Sequence, residues 1–258
     1  MATHHVHRAA DAPPIWEDPG FVRGLAVFET LRTYGTHLFR LEAHLDRLID
    51  SGRSMGIALP DRATMRAEIV DATVTDSQLR YVVTGGGNRV VSVSPLDLER
   101  LARPVRLGKM TWQPPDELPG LIKHTNRAAW MIACRDRDVD EVLLVDREGH
   151  ILESNRANVI AVVDGQLVTP ALDGRLLSGV TRGAMLQAAD TAGLPFTERP
   201  LHIDETWTEL YLSSTLKELA VVASIDAVDC PPAGPLGAQL RAAFNALVER
   251  ESEAHSAR

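Results

Sequence analysis

The stretch Leu121-Ile122-Lys123-His124-Thr125-Asn126-Arg127 lies just past the breaker-rich segment 112–120 and contains one of only three lysines in a chain with 27 Lys and Arg residues. Chemistry that needs an amine nucleophile can therefore use Lys109, Lys123, Lys217 or the chain terminus. Lys123 follows two apolar residues, and a lysine that loses water is poised to form a Schiff base with an aldehyde. The alternative for Lys123 taken alone is a surface lysine whose amine reaches into water.

Composition bounds the class of protein. The 258 residues suffice for one large domain or two small ones, and the hydrophobic and charged fractions of 45% and 24% are those of a globular chain. Aromatic residues make up 5% and the net charge is −8, so we expect no nucleic-acid partner. No apolar run approaches the roughly 18 residues that cross a bilayer, so we expect no membrane role.

The cysteine content and the first residues of the sequence bear on the cellular compartment and on metal binding. Cys134 and Cys230 are far apart without metal-type spacing, and no signal-like segment opens the sequence, which favours a reducing, cytoplasmic setting. His4, His5 and His7 lack acidic or cysteine ligands around them. We therefore expect a frayed start and no metal site.

Alternating strand and helix signals fill the first half. Residues 27–36 read as a hairpin with a Gly35-Thr36 turn, residues 41–55 and about 61–72 as helices, and residues 79–84 and 90–93 as strands. Gly85-Gly86-Gly87 joins these strands as either a flexible turn or a close approach to a ligand.

The pattern changes across the Pro/Gly-rich segment after Trp112. It predicts a small domain over 1–113, a linker over 114–120 and a larger domain over 121–258. In the larger domain we expect helices over 126–136, 181–193 and 236–249, and strands over 142–146, 151–154, 159–164, 166–169 and 210–214.

Several stretches could hold an anion. In Leu177-Ser178-Gly179-Val180-Thr181-Arg182 a small-residue loop opens a helix, where free backbone N–H groups favour a phosphate. Ser213-Ser214-Thr215 adds donors at a strand end, and Arg47 offers a guanidinium suited to phosphate. The plainer alternatives are a helix cap, a turn and a solvated arginine.

Glu153 lies in a polar interruption between two strands, as a turn acid or as a partner for a protonated ring nitrogen. In sequence order, arginine, lysine, acid, Gly-x-Thr helix start and Ser/Thr strand end are together the parts needed to bind pyridoxal 5'-phosphate (PLP).

Six ordered stretches resemble the class IV aminotransferases, the fold-type IV PLP enzymes that include branched-chain and D-amino-acid aminotransferases and aminodeoxychorismate lyase. The stretches are 24–32, 39–48, 123–127, 153–159, 179–182 and 210–218. The resemblance implies an α+β fold of two domains, a small N-terminal α/β domain and a larger C-terminal domain built on a β-barrel-like sheet with helices. It also implies a homodimer.

The same resemblance assigns roles to residues. Lys123 would be catalytic, forming the Schiff base and moving a proton between the substrate Cα and the cofactor C4'. Cofactor binding would fall to Arg47, Lys123, Glu153, Asn158, Leu177, Gly179, Val180, Thr181, Ser214 and Thr215. Glu153 would hold the pyridine nitrogen protonated, Leu177 would pack on the ring, and the phosphate would meet Arg47, the Val180 and Thr181 amides and the Thr181 and Thr215 side chains.

Some positions depart from the family pattern. Gly24-Leu25-Ala26 replaces the usual Gly-Asp-Gly, and the short segment before it predicts that an N-terminal strand is missing or reduced. Gly85-Gly86-Gly87 stands where some D-amino-acid aminotransferases place arginine and histidine. Four arginines could meet a substrate carboxylate, although a surface role is favoured for any one of them: Arg23, Arg32, Arg89 and Arg127.

Three functions follow as hypotheses. The first is a PLP-dependent aminotransferase acting on an amino acid and a 2-oxo acid. The second is aminodeoxychorismate lyase, which releases 4-aminobenzoate and pyruvate; His124-Thr125-Asn126-Arg127 is closer to the lyase, whereas Ser213-Ser214-Thr215 is closer to the aminotransferases. The third is a non-catalytic PLP-binding or dimerising relic of the fold.

Overall fold

The computed structural model describes residues 2–256. The chain folds into two compact units. The first contains the chain up to Asp97, the segment Leu121–Arg127 and the residues from Ser252; the second contains Leu98–Gly120 and Ala128–Glu251. The residues 98–113 and 121–127 are thus grouped differently from the sequence-based boundaries, which remain a prediction about independently folding domains.

A five-stranded antiparallel sheet forms the first unit, with strand order β1-β5-β4-β2-β3. Its elements are β1 (Thr3–Arg8), α1 (Pro19–Val22), β2 (Ala26–Tyr34), β3 (His37–Leu38), α2 (Leu41–Ser54), α3 (Arg62–Asp71), β4 (Ser77–Thr84) and β5 (Asn88–Pro95). The hairpin and both helices of this half are therefore confirmed. Helix α2 packs on β2 through Leu41, Leu45 and Leu48, the buried side of its apolar stripe.

The start of the chain corrects two expectations. Residues Thr3–Arg8 form β1, which pairs antiparallel with β5 from Thr3↔Val93 to Arg8↔Asn88. The expected frayed start is wrong, and the N-terminal strand is present rather than missing, because backbone hydrogen bonds of this polar segment continue the sheet. Whether the strand is reduced stays a prediction.

Gly85-Gly86-Gly87 forms the turn between β4 and β5, and its close contacts are with protein. A Cβ at Gly86 would lie 2.7 Å from Asp18 Oδ2, which already accepts hydrogen bonds from Thr84 Oγ1 and Asn88 Nδ2. The fully buried Asp18 therefore ties the segment before β2 to this turn.

The second unit is built on a curled sheet with strand order β11-β10-β9-β12-β13-β6-β7-β8, to which β14 adds beside β13. The elements are α4 (Leu98–Leu101), β6 (Val105–Thr111), α5 (Ala128–Arg137), β7 (Glu141–Val145), β8 (Ile151–Ser154), β9 (Asn158–Val163), β10 (Gln166–Thr169), α6 (Val180–Thr191), β11 (Phe196–Glu198), β12 (Glu209–Ser214), β13 (Glu218–Ile225), β14 (Val228–Asp229) and α7 (Pro235–Ser256). The predicted helices and strands of this half are confirmed, and β8 also contacts β9, which curls the sheet.

Alternation along β7 shows how this sheet buries both faces. Leu143 and Val145 point into the core enclosed by the curl, whereas Val142 and Leu144 pack beneath Trp130 and Ala133 of α5. The α+β architecture with a barrel-like sheet is thereby confirmed. Within the described residues, no helix combines the length and the apolar character needed to span a bilayer.

Candidate active site

The predicted site residues divide between the two units, so each group is described within its own unit. Arg47 and Lys123 belong to the first unit. The others belong to the second: Glu153, Asn158, Leu177, Gly179, Val180, Thr181, Ser214 and Thr215.

The backbone of Lys123 is fixed on both sides. Its N–H donates to Ser51 Oγ of α2 at 3.1 Å, and its carbonyl accepts from Phe28 N of β2 at 3.1 Å. Val27 and His124 form an isolated antiparallel bridge beside it. The segment after the linker is thus held against β2 and α2, although it lies far from both in sequence.

Lys123 is half-buried, and its Nζ lies 4.9 Å from the centroid of the Phe28 ring. The other two lysines are placed differently. Lys109 is exposed, and Lys217 Nζ donates at 3.1 Å to Glu141, a carboxylate that is 1% exposed. Of the three lysine amines, Lys123 is therefore the one that lies half-buried at an aromatic ring.

Two arginines share the Phe28 ring with Lys123. The guanidinium carbons of Arg80 and Arg127 lie 3.9 and 5.0 Å from its centroid. Cations near an aromatic face are attracted by its quadrupole but repel each other, so three of them at one ring create a positive patch. Of the four arginines weighed from the sequence, Arg127 belongs to this patch, whereas Arg89 forks onto Glu68.

His124 is buried next to Lys123. Burial, with a smaller contribution from Arg127, lowers its pKa to about 4. Nδ1 of His124 accepts from the Asn126 N–H at 3.1 Å, which places the remaining ring proton of the neutral form on Nε2. The side chain that follows Lys123 is therefore uncharged at neutral pH.

Arg47 contacts a residue that sequence reasoning missed. Its Nε and Nη2 donate to the two oxygens of Glu29 on β2, at 2.7 and 2.8 Å. His44 Nδ1 lies 2.8 Å from Glu29 Oε2. Burial alone would raise the pKa of Glu29, but Arg47 and His44 outweigh it and hold that pKa well below its ordinary value.

In the second unit, the side chain of Asn158 links several of the predicted site residues. Its Nδ2 donates to the Leu177 carbonyl at 2.9 Å and approaches Glu153 Oε2 at 3.3 Å. Gly179 lies against the same amide, since a Cβ there would fall 2.0 Å from Asn158 Oδ1. The acid, the loop and the start of α6 are therefore brought together by one side chain at the beginning of β9.

The start of α6 fits an anion. Gly179 is the N-cap in an extended conformation and supplies no side-chain cap, so the N–H groups of the first turn have no partner from that residue. Thr181 in the first turn is 4% exposed. Asn158 pairs with Ser213 across β9 and β12, which brings the end of β12, with Ser214 and then Thr215, beside β9.

The second unit offers amide and hydroxyl groups suited to a phosphate and a carboxylate suited to a protonated ring nitrogen, and the first unit offers an amine suited to an aldehyde. Within the second unit the structure brings Glu153, Asn158, Leu177 and Gly179 together. It adds Phe28, Glu29, His44, Ser51 and Arg80, of which Phe28 and Glu29 lie in the stretch 24–32 that already carried the family resemblance.

Comparisons with known proteins show similarity to aminotransferases. A branched-chain-amino-acid aminotransferase of Pseudomonas aeruginosa is 25% identical over 268 aligned residues, covering 90% of this chain and 87% of that protein. A D-alanine aminotransferase of Listeria monocytogenes is 26% identical and covers 95% of this chain and 94% of its own. The PLP-bound structure of a hypothetical aminotransferase from Mycobacterium tuberculosis superimposes with a TM-score of 0.82 at 24% identity, covering 95% and 98% of the two chains.

The family model "Amino-transferase class IV" matches residues 26–225, which include every predicted site residue. The relatives are aminotransferases, so the lyase and the non-catalytic relic are not favoured. The chain is an enzyme of the transferase class, and it belongs to the class IV aminotransferase family.

Proposed function

We propose that the chain moves an amino group between an amino acid and a 2-oxo acid, with PLP held covalently on Lys123 Nζ. The observation that carries this proposal is the setting of Lys123. Its backbone is hydrogen-bonded to Ser51 and Phe28, and its half-buried amine lies at the Phe28 ring, whereas Lys109 is exposed and Lys217 pairs with Glu141.

When bound, PLP supplies an electron sink that acidifies the Cα–H bond of the attached amino acid. Once the substrate's amino group has displaced it from the cofactor, Lys123 Nζ would take the proton from the substrate Cα and return it to the cofactor C4'. The hydrogen bonds at Lys123 N and O fix the backbone from which this long side chain extends, which limits the positions that the amine samples.

Glu153 would keep the cofactor's ring nitrogen protonated by accepting its hydrogen bond. Asn158 orients Glu153, because its Nδ2 donates both to Glu153 Oε2 and to the Leu177 carbonyl. Phosphate binding falls to Arg47, the amides of Val180 and Thr181, and the hydroxyls of Thr181, Ser214 and Thr215. The support for this assignment is the uncapped first turn of α6 and the Ser213↔Asn158 pairing.

The positive patch at Phe28 suits a carboxylate substrate. Arg80 and Arg127 lie at the same ring as Lys123, so an anion bound there relieves their mutual repulsion. We assign the carboxylates of the amino acid and the 2-oxo acid to these arginines.

The direct test is reductive trapping. Purified protein is incubated with PLP, reduced with borohydride and digested, and the modified lysine is found by mass spectrometry. Modification of the peptide that contains Lys123, its loss in Lys123→Ala and its retention in Lys109→Ala are expected. A label that persists in Lys123→Ala would show that the lysine assignment is wrong.

A second measurement defines the reaction. With single L- or D-amino acids, the absorbance of bound PLP should bleach as the amino form of the cofactor accumulates, and a 2-oxo acid should restore it. Release of fluorescent 4-aminobenzoate from aminodeoxychorismate would instead identify the lyase, and no response to any amino acid would identify a non-catalytic protein.

We also propose that the enzyme acts as a homodimer in the cytoplasm, on the basis of its family resemblance and cysteine content. Sedimentation equilibrium measures the assembly, and cell fractionation measures the compartment. A monomer at micromolar concentration would contradict the first of these two statements.

A further inference from the structure

Glu29 is a carboxylate buried among charged partners. It is 1% exposed on β2, its two oxygens accept from Nε and Nη2 of Arg47, and His44 Nδ1 lies against one of them. His44 is also 1% exposed, and burial lowers its pKa below the ordinary value despite the attraction of Glu29. A neutral His44 donates from Nδ1, so Glu29 and Arg47 form a neutralised pair.

Burying such an ion pair has a free-energy cost, so stability alone does not explain why this unit contains one. Removing two charges from water is costly, and replacing a buried pair by apolar residues is often neutral or stabilising. The fork geometry of Arg47 on Glu29 fixes the guanidinium plane, which a single contact could not do. The arrangement is therefore suited to holding an arginine in one orientation.

The position of Arg47 on α2 explains why orientation matters. His44, Arg47 and Ser51 are spaced by three and four residues, which places them along one side of the helix. Ser51 accepts the hydrogen bond from Lys123 N, one turn beyond Arg47. The same helix side thus holds the Lys123 backbone and carries the guanidinium that Glu29 fixes.

We propose that Glu29 is a positioning residue that holds the Arg47 guanidinium in the orientation that binds the PLP phosphate, with His44 holding Glu29 in turn. This inference rests on the proposed function. A pre-oriented arginine loses less side-chain entropy when it binds an anion, so the expected contribution appears in affinity for the phosphate group.

The chain contains a matched control for this pair. Glu68 of α3 accepts from Nε and Nη2 of Arg89 on β5 at 3.0 and 2.7 Å, and also from the Tyr81 hydroxyl. It is a partly buried fork in the same unit that has no role in the proposed site. Glu68→Gln therefore reports what the loss of such a fork costs in stability alone.

The experiment compares PLP with pyridoxal, which lacks the phosphate. Dissociation constants of both are measured by absorbance titration of cofactor-free wild type, Glu29→Gln and Glu68→Gln. Glu29→Gln should weaken PLP binding by roughly tenfold to hundredfold, the range typical when a residue that orients a metal-binding side chain is removed. Pyridoxal binding should stay unchanged, and Glu68→Gln should leave the ratio of the two constants at the wild-type value.

Two further variants test whether Glu29 acts through Arg47: a double variant at both positions, and His44→Asn. In an Arg47→Gln background, adding Glu29→Gln should cause no further loss of PLP affinity, because the positioned group is already gone. If Glu29→Gln does not fold, His44→Asn, which leaves the Arg47–Glu29 fork in place, should weaken PLP selectively by a smaller factor.

Equal effects on PLP and pyridoxal, or the same ratio in Glu29→Gln, His44→Asn and wild type, would overturn the inference. A wild type in which borohydride traps no PLP on Lys123 would instead overturn the proposed function. The two failures are therefore distinguishable.

Discussion

Gly179 lies so close to Asn158 that a Cβ added to it would fall 2.0 Å from the amide oxygen. Gly179→Ala must therefore displace either the amide that links Glu153 and Leu177 or the first turn of α6. We expect a loss of about 1–3 kcal/mol in the free energy of unfolding, as for other overpacked sites, together with weaker PLP binding. Denaturant titration and PLP titration measure the two effects.

Gly183, four residues further along α6, is the control. It is exposed, and nothing lies within 4 Å of its added Cβ, so Gly183→Ala should stabilise the protein by roughly 0.5–1 kcal/mol through helix propensity. Equal effects of the two substitutions would contradict the close approach at Gly179.

Ser51→Ala should loosen the segment that carries Lys123. The substitution removes the acceptor of the Lys123 N–H, and a partly buried donor left unsatisfied costs about 1–3 kcal/mol. Besides lower stability, we expect faster hydrogen exchange at Lys123 than in wild type. Ser54→Ala on the same helix loses only an exposed bond to the Asp50 carbonyl and should change the stability by less than about 0.5 kcal/mol.

His124 should make the fold sensitive to mild acid. Burial holds its pKa at about 4, whereas the pKa of a histidine in the unfolded chain is about 6.5. The unfolded chain therefore binds the extra proton first, and stability falls as the pH is lowered from about 6.5 towards 4. His124→Gln should flatten the plot of unfolding free energy against pH in this window, and an unchanged slope would contradict the burial of a neutral ring.

Glu209→Gln should destabilise the last helix. Glu209 is 3% exposed and accepts from the N–H groups of Leu236 and Gly237 at the start of α7 and from the Tyr211 hydroxyl. Burial and this carboxylate raise the pKa of Tyr211 to about 12. An amide offers fewer acceptor sites and no charge to these donors, so we expect a loss of about 1–3 kcal/mol in unfolding free energy.

Glu249→Gln provides the comparison for that prediction, because Glu249 is exposed near the other end of α7. Its unfolding free energy should lie within about 0.5 kcal/mol of wild type. Similar losses in both variants would show that helix charge, rather than capping by Glu209, determines the effect.

Elements with a strong local pattern were predictable from the sequence. Helices α2, α3 and α6 show apolar spacing, and the hairpin of β2 and β3 has a local turn at Gly35. Strands β6 and β13 were not assigned. β6 pairs in parallel with β13 across more than a hundred residues, so no turn joins these two strands in the sequence. β13 also pairs antiparallel with β12 through the short turn at 215–217, so this reason applies to β6 alone.

The candidate site, too, was predictable only where it depends on local sequence patterns. The family and the cofactor chemistry could be predicted from the sequence. They follow from the order of Arg47, Lys123, Glu153 and Thr181, because these residues lie in short stretches that resemble the family. The fork of Arg47 on Glu29 and the bond from Lys123 to Ser51 depend on contacts between separate elements, for which neighbouring residues in the sequence carry no signal. The link from Asn158 to Leu177 likewise required the register of β9.

The segment Leu121–Arg127 returns to the first unit between two stretches that belong to the second. A gene cut once within 98–120 would therefore separate β2 from the peptide that bridges to it at Val27↔His124. Neither fragment would encode a whole unit, so exchanging modules with a relative would require several coordinated breakpoints. We expect such enzymes to diverge by point substitution more readily than by shuffling of gene halves.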